Sequence, residues 1–512
     1  MMQKKFLIGL TCAFFFLTVF TSATVLARVK DTVRLGMHSD ATTVNPFQYK
    51  TVQDEVTFLS MFQGLKKDDT QTGDPVFCLA ESIKIMENGK DIWVKLRKGP
   101  KFYTGDPVTA HDVRFSWAQH LDRKNKSLLR SVYRKIKDVE IIDDYTFIYR
   151  FKKPFAPWEI LMTMSIGPKK YFEKVGREAF TKHPLGSGPF SFVERKIGES
   201  ITLQAVKNHH DYKVDFKILK IIIVPDEMTR VAMLETEELD LIYRILPHQV
   251  KRLERNKRIK IKRSDQTPNF FEIAFRTLTD DIIKDRKLRL AFQYAINRQE
   301  IVDMVFFGEG YPHYMNADHL ELGYDPTYKV EFNPEKAREL VKQSSYKPGT
   351  PLILTRGGEM VNSLPVCTAI QNYMKDVGVT IKMRQMEVGT FLALSRKQDP
   401  RLGHLTTSTW PGSRDPIWRL MFSVKSDGFY CTYPGRPDRE VLDKLIEAQA
   451  VEMDKEKRLV ILKKIHEIYN QDPSRLPLFG LNMIYGMANW LDYNWIPKNY
   501  EPSQLWTIRI VK

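Results

Sequence analysis

Few side chains of this sequence combine the type and the spacing that catalytic chemistry requires. His209, His210 and Asp211 are adjacent and could bind a metal ion, but the pair of imidazoles lacks a third one at ligand spacing. Ser187 lies between two glycines, which could expose a nucleophile, although a tight turn explains the same pattern. No G-x-S-x-G, H-E-x-x-H or C-x-x-C motif occurs in the 512 residues. We therefore expect no catalytic residues, no metal site and no cofactor. An exported hydrolase, which would be an enzyme and not a binding protein, is the alternative hypothesis.

Residues 406–415, with the sequence TTSTWPGSRD, form a second group that could recognise a ligand without changing it. Trp410 could supply apolar surface, and Arg414 and Asp415 could pair with charges on a bound molecule. Trp410 also suits a core position. Asp415 directly precedes Pro416, and this order favours a helix cap for Asp415 over a ligand contact.

These side chains need a scaffold in which helices and strands are intermixed. Alternation of apolar and polar residues, or a short apolar run, predicts strands, and apolar residues at helical spacing predict helices. The predicted strands are 31–37, 92–96, 146–151, 218–224, 352–354 and 379–383, and the predicted helices are 110–121, 229–236, 288–305, 334–342, 365–377 and one or two within 439–469. A single core rarely exceeds about 250–300 residues, so an α/β chain of this length predicts at least two lobes.

The first 27 residues have the order of a cleavable secretory signal peptide, in which a positive start precedes an apolar run. The run, residues 6–20, is shorter than the roughly 20 residues that span a bilayer, which favours cleavage over a membrane anchor. We expect a periplasmic mature protein. Its three cysteines, Cys78, Cys367 and Cys431, allow one disulfide at most, and the sequence leaves the pairing open.

The chain is basic, with 79 Lys and Arg against 62 Asp and Glu and a formal charge of +17. Such a surface attracts polyanions, so a polyanion-binding surface protein is a third hypothesis. The basic residues are spread along the chain, however, and the densest run, 251–263, is typical of a helix end, a turn and an edge strand. This run lacks the aromatic side chains on which bases stack. We therefore expect no nucleic-acid partner.

Five segments, in one order, resemble motifs of a known family. They are residues 96–117 (LRKGPKFYTGDPVTAHDVRFSW), 186–190 (GSGPF), 289–298 (RLAFQYAINR), 332–341 (FNPEKARELV) and 409–416, which contains Trp410 and the Asp-Pro pair. Through them the chain resembles the peptide/nickel family of bacterial extracytoplasmic solute-binding proteins, which deliver ligands to ABC importers. Most of these residues suit turns, caps and helix faces, so we expect them to form the scaffold.

The resemblance implies an α/β fold of the two-lobed periplasmic-binding-protein type, type II, in its large peptide-binding class. The implied parts are a signal peptide at 1–27, lobe I at 28–264 with an extra subdomain at about 69–183, lobe II at 265–479, and a C-terminal return to lobe I at 480–512. Such lobes close on a ligand by a hinge motion and bury the cleft from water.

The resemblance also implies a ligand in the cleft. The candidate contacts are Asn45, Phe270, Phe271, Thr407, Trp410, Ser413, Arg414, Asp415 and Tyr485. Many peptide-binding members carry an Asp where this chain has Ser413, so a peptide amino terminus would need Asp415, Glu272 or Asp40 instead. Nickel-binding relatives carry a His where this chain has Thr407, which removes one direct metal contact.

The function implied by the resemblance is solute capture without covalent chemistry. We expect a monomer that binds a peptide or another small solute and passes it to an ABC permease in the inner membrane. A nickel- or metal-chelate-binding protein of the same family is the alternative. The sequence leaves the identity and the length of the ligand open.

Overall fold

A computed structural model describes residues 31–511, apart from 88, 266–268, 280, 358–361, 412, 495 and 497–500. The predicted signal peptide at 1–27 lies outside the described residues. Within those ranges, no helix is both long enough and apolar enough to cross a membrane.

The first lobe is built on a seven-stranded mixed sheet. In spatial order its strands are Ile259–Ser264, Met483–Ala488, Leu241–Tyr243, Thr32–Met37, Ile218–Ile223, Ser200–Ala205 and Phe190–Lys196. Thr32–Met37 pairs in parallel with Ile218–Ile223, and its Val33, Leu35 and Met37 are buried in one core. A strand from near the C-terminus thus lies second in the sheet, beside the edge strand predicted from the basic run at 251–263.

The second lobe is built on a six-stranded mixed sheet. Its strands, in spatial order, are Gly310–Pro312, Arg475–Leu481, Asn269–Phe275, Leu405–Pro411, Leu352–Arg356 and Ile381–Gln385. Every residue of Asn269–Phe275 is buried, as expected for a central strand that is covered on both faces. The chain enters this sheet after Ser264 and leaves it at Leu481, next to the strand Met483–Ala488.

A third unit is inserted in the first lobe. Its antiparallel sheet contains Ala80–Ile85, Asp91–Leu96, Thr146–Phe151 and Ile136–Asp143, in that spatial order. The second lobe touches this unit, because Ile417 is buried in its core and the Ala156 N–H donates to the Ala450 carbonyl (2.9 Å). Two small antiparallel pairs complete the strands: Lys66–Asp68 with Pro75–Phe77, and Leu491–Asp492 with Arg509–Ile510.

Helices cover the faces of these sheets. The α-helices are Val52–Met61, Ala110–Leu121, Arg130–Tyr133, Lys169–Lys182, Glu227–Glu235, Pro247–Glu254, Arg286–Ala295, Arg298–Phe306, Pro334–Gln343, Ser363–Asp376, Val388–Arg396, Ile417–Arg419, Arg439–Val451 and Lys455–Gln471. Short 3-10 turns lie at Pro46–Gln48, Arg123–Asn125, Trp158–Leu161, Ile282–Lys284, Pro400–Leu402 and Leu505–Thr507, and a π-helical turn at Leu420–Val424.

The strands predicted at 31–37, 92–96, 146–151, 218–224, 352–354 and 379–383 each overlap a strand of the structure, and the helix at 110–121 is confirmed with both ends. The single helix predicted at 288–305 is wrong: the chain forms two helices, Arg286–Ala295 and Arg298–Phe306. Asn297 separates them, and its side chain accepts a hydrogen bond from the Glu300 N–H (3.1 Å) as the cap of the second helix.

The three described cysteines are buried thiols and form no disulfide with one another. Cys78, Cys367 and Cys431 are all free and buried. Burial raises the pKa of each thiol, so all three side chains are protonated at neutral pH. The fold of each lobe therefore depends on its apolar core and not on a disulfide.

Candidate functional site

A cavity of about 1780 Å³ lies between the two lobes. Sites for drug-sized ligands are typically about 300–1,000 Å³, so this space suits a larger molecule. The first lobe and its inserted unit contribute one wall, through residues such as Val52, Leu128 and Trp158. The second lobe contributes the opposite wall, so a molecule in the cavity would touch both lobes.

The strand Leu405–Pro411 forms the middle of the second-lobe wall. It lies antiparallel to Asn269–Phe275 and parallel to Leu352–Arg356, and its residues 406–410 all line the cavity. Threonine favours the extended, half-buried surface of a sheet, which explains why this polar segment forms a strand. The Thr407 hydroxyl donates to the Gly357 carbonyl (2.9 Å), so it is already engaged by the backbone.

Aromatic side chains make up much of the lining and come from both lobes. They are Tyr49, Trp158, Tyr324, Phe391, Trp410, Trp418, Phe422, Phe429 and Tyr430. Their rings bury large apolar areas at a low cost in side-chain entropy. The cavity therefore offers apolar contact over much of its surface, beside polar and charged side chains from both lobes.

Asp415 lies in the connection between the strand and the helix Ile417–Arg419, one residue before the N-cap position at Pro416. Its Oδ1 accepts from the Ile417 N–H (3.0 Å) at the start of the following helix. Both carboxylate oxygens also accept from Arg458, at 2.6 and 2.8 Å. Asp415 lines the cavity, but this two-pronged pair neutralises its charge.

Arg414 links the two lobes directly. Its Nη1 donates to Asp74 Oδ1 (2.8 Å) and its Nη2 donates to the Thr72 carbonyl (2.6 Å), both in the first lobe. The neighbouring Ser413 lines the cavity, and its Oγ accepts from the Asp415 N–H (3.3 Å). The segment at 413–415 is thus both a cavity wall and an inter-lobe contact.

Five of the candidate contacts from the sequence line the cavity, namely Thr407, Trp410, Ser413, Arg414 and Asp415. The other four do not, because each is packed inside a lobe. Asn45 accepts from the Phe47 N–H (3.0 Å) and caps the turn Pro46–Gln48. Phe270 stacks on His313, and Phe271 stacks on Phe479. Tyr485, on a strand of the first-lobe sheet, donates to the Tyr493 carbonyl.

The three carboxylates proposed to replace the family's aspartate all have cationic partners. Asp415 is held by Arg458, Glu272 is paired with the buried Arg475, and Asp40 pairs with Arg195 (2.9 Å). A positively charged amino terminus would therefore have to compete with an arginine at each of them.

The metal and nucleophile candidates lie elsewhere. His209 contacts the Ser187 carbonyl through Nε2 (2.8 Å), and Asp211 is paired with Arg97. Ser187 is fully buried, and neither it nor the two histidines are among the cavity residues. In the part of the chain that the structure describes, no group of three or more His, Cys, Asp or Glu side chains could hold a metal ion.

Two buried ion pairs stabilise the second-lobe wall of the cavity. Arg419 pairs with Glu321, and Arg475 pairs with Glu272. Asn316 joins them, since its Nδ2 donates to Glu272 Oε2 (3.1 Å) and its Oδ1 accepts from Arg419 Nη1 (2.7 Å). Glu321 and Arg475 also line the cavity, so this network fixes the position of the wall.

Asp318 introduces a pH dependence next to this network. Its side chain is fully buried, its Oδ1 accepts from the Leu320 N–H (2.9 Å), and its Oδ2 has no partner among the described residues. Burial raises its pKa to about 7, with a further contribution from Glu321. Burial also lowers the pKa of the adjacent His319, so these neighbours do not form an ion pair at neutral pH.

An Asp318→Asn variant is expected to gain stability relative to the wild type as the pH rises from 5 to 8. Below about pH 7 the folded carboxyl keeps its proton while the unfolded one loses it, so wild-type stability falls with rising pH, by up to about 1.4 kcal/mol per unit. Urea unfolding at the two pH values measures the difference. The exposed Asp325→Asn serves as the control, and an equal wild-type-to-variant difference at both pH values would contradict the assignment.

Sequence reasoning missed the contribution of the inserted unit and that of Arg276. Trp158, Leu128 and Met164 line the cavity from the first-lobe side, although all three lie far from Trp410 in the chain. Arg276 follows the buried strand Asn269–Phe275 directly, and a charge at the end of such a strand is the signal that could have identified it.

Comparison with protein families gives a match to the model described as bacterial extracellular solute-binding proteins, family 5 Middle, over residues 74–429. The chain is similar to the oligopeptide-binding protein AppA of Bacillus subtilis (strain 168), with 27% identity over 332 residues, 60% of this chain and 61% of that protein. It is also similar to the glutathione-binding protein GsiB of Shigella flexneri serotype 5b, with 29% identity over 372 residues, 70% of each chain.

Among solved structures, the fold is similar to that of NikA from Brucella suis in complex with Fe(III)-EDTA. The TM-score is 0.84 at 19% identity, covering 94% of this chain and 99% of the other. At this identity the likeness concerns the fold alone. It confirms the predicted two-lobed α/β architecture of type II.

Proposed function

This chain belongs to family 5 of the bacterial extracellular solute-binding proteins, and we infer that it captures a peptide or peptide-like solute for an ABC importer. The observation that carries this function is the aromatic-lined cavity of about 1780 Å³ to which both lobes contribute. A space of this size suits several linked residues, and rings on both walls can hold side chains of differing shape. The names of the relatives AppA and GsiB, an oligopeptide- and a glutathione-binding protein, agree with such a ligand.

The solute is released chemically unaltered to a permease in the inner membrane. The protein acts as a periplasmic monomer after cleavage of residues 1–27. Lobe I is 28–264 with the inserted unit at 69–183, lobe II is 265–479, and 480–512 returns to lobe I. The ligand contacts among the sequence candidates are the five that line the cavity, and Asn45, Phe270, Phe271 and Tyr485 support the lobes.

A thermal-shift screen of the mature protein tests this function. The probes are dipeptides, oligopeptides, glutathione and nickel chelates. A ligand present at about 100 times its Kd raises the free energy of unfolding by about 2.7 kcal/mol, so one class should raise the melting temperature. A shift with nickel chelates alone would favour the metal alternative, and recovery of cleaved peptides would favour a hydrolase. Unchanged melting with every probe would contradict solute binding.

Loss of the inter-lobe pair is expected to weaken ligand binding slightly. Arg414 and Asp74 are 39% and 61% exposed, and such pairs contribute about 0.2–1 kcal/mol. An Arg414→Gln variant should therefore bind the best ligand of the screen about 1.4- to 5-fold more weakly at low salt. The difference should vanish near 1 M salt, where screening is nearly complete. Calorimetry measures it, with Arg338→Gln, from an exposed pair within one helix, as the control. A deficit that persists at high salt would contradict the electrostatic origin.

A further inference from the structure

Arg276 is a buried cation at the cavity wall without a matching anion. Its exposed fraction is 2%, and it lines the cavity just after the strand Asn269–Phe275. Nη2 donates to the Asp399 carbonyl (3.3 Å), while Nε is buried and has no partner in the described part of the chain. The Asp399 carboxylate is held by Arg401, at 2.8 and 3.0 Å. The charge of Arg276 is therefore not neutralised by an ion pair within the described ranges.

A second guanidinium lies close by and increases the local positive charge. Arg475 is 4% exposed and also lines the cavity. It pairs with Glu272, contacts Ser408 Oγ (3.2 Å) and donates to the Tyr430 carbonyl (2.8 Å), while its Nε has no partner either. Burial, with a smaller contribution from the charge of Arg475, lowers the pKa of Arg276 to about 10. Glu272 thus pairs with one of the two arginines, and the other, Arg276, has only the more distant charge of Asp399, which is already paired with Arg401.

An unmatched buried charge destabilises a protein unless a partner is supplied, and the open side of this one is the cavity. Guanidinium groups bind carboxylates through paired hydrogen bonds of fixed geometry. We propose that the Arg276–Arg475 end of the cavity is a subsite for a carboxylate of the bound solute. This inference rests on the proposed function and narrows its substrate class to solutes with at least one carboxylate placed to reach Arg276.

The carboxylate could be the C-terminus of a peptide or an acidic side chain, and one experiment separates the two sources. The mature protein is incubated with a pool of random peptides of three to five residues, as free acids or as C-terminal amides. The retained peptides are identified by mass spectrometry. Retention of free acids regardless of sequence assigns the C-terminus, whereas retention of only Asp- or Glu-containing amides assigns the side chain.

Substitutions of Arg276 test whether this side chain binds the carboxylate. Arg276→Gln should weaken binding of the retained peptides about 10- to 100-fold, the range of hydrogen bonds to charged groups, and Arg276→Lys should restore part of it. The exposed Arg338, which is not part of the cavity lining, gives the matched control Arg338→Gln, which should bind as the wild type does. The melting temperature of Arg276→Gln should not fall, because the substitution removes an unneutralised buried charge.

The outcomes also separate this inference from the proposed function. Equal retention of neutral amides and free acids, or unchanged binding by Arg276→Gln, would overturn the subsite while solute binding stands. A melting temperature of Arg276→Gln well below that of the wild type would overturn the view that the charge is unmatched. Retention of no peptide from either pool would overturn the subsite and the peptide function together.

Discussion

An Arg419→Met variant is expected to lose about 3–5 kcal/mol of unfolding free energy, the usual result of removing one partner of a buried ion pair. The Arg419 and Glu321 side chains are 2% and 1% exposed. Arg419 Nε donates to Glu321 Oε2 (3.1 Å), and Nη1 donates to Asn316 (2.7 Å). Methionine fills part of the volume but leaves Glu321 without its cation.

The unfolding free energy lost by Arg419→Met should depend on pH, and the protonation of Glu321 decides whether the loss grows or shrinks as the pH rises. Burial already raises the pKa of Glu321, and Arg419 opposes that rise. Without Arg419 the folded carboxyl takes up a proton more readily, so the deficit should be larger at pH 8 than at pH 5. Urea unfolding at both pH values measures it. The double variant Arg419→Met/Glu321→Leu should recover most of the stability, and a single-variant loss below about 1 kcal/mol would show that the pair does not hold the wall.

The second large expected effect is a loss of ligand affinity when a bulky side chain fills part of the cavity. A Thr409→Trp variant is expected to bind the best ligand of the screen at least about 100-fold more weakly, a loss of roughly 3 kcal/mol. Thr409 lies on the strand Leu405–Pro411, lines the cavity and is only partly buried. An indole at this position would project from a rigid strand into the space that the ligand needs and clash with it.

Calorimetry on the mature protein measures this loss. The control is Thr350→Trp, which adds the same ring at an exposed loop residue that is not part of the lining. Both variants should melt within a few degrees of the wild type, since neither replaces a fully buried residue. Undiminished binding by Thr409→Trp would place the ligand outside this cavity.

The scaffold was predictable from the sequence where local signals are strong. Thr109 and Asp112 form a reciprocal capping box, and the helix Ala110–Leu121 begins where that pattern places it. The break at Asn297 was missed because apolar residues continue at helical spacing on both sides of it, so periodicity indicates one helix. A capping residue within such a pattern is the better guide to a boundary.

The site was predictable only in part, because it depends on distances between remote segments. Residues 406–415 stood out through their polar and aromatic types, and the structure places the five candidates from this segment on the cavity. Phe270 and Phe271 carry no local sign that separates a lining ring from a core ring, and both are buried. Trp158 reaches the cavity through the packing of the inserted unit, which sequence patterns do not encode locally.

The most direct test of solute capture is native mass spectrometry of the mature protein, stripped of ligand by unfolding and refolding and then mixed with the free-acid peptide pool. One peptide per chain is expected on the wild type, recovered with its mass unchanged after release, and much less peptide on Thr409→Trp. No bound peptide on the wild type, or recovery of peptide fragments, would contradict a protein that encloses a solute and releases it intact.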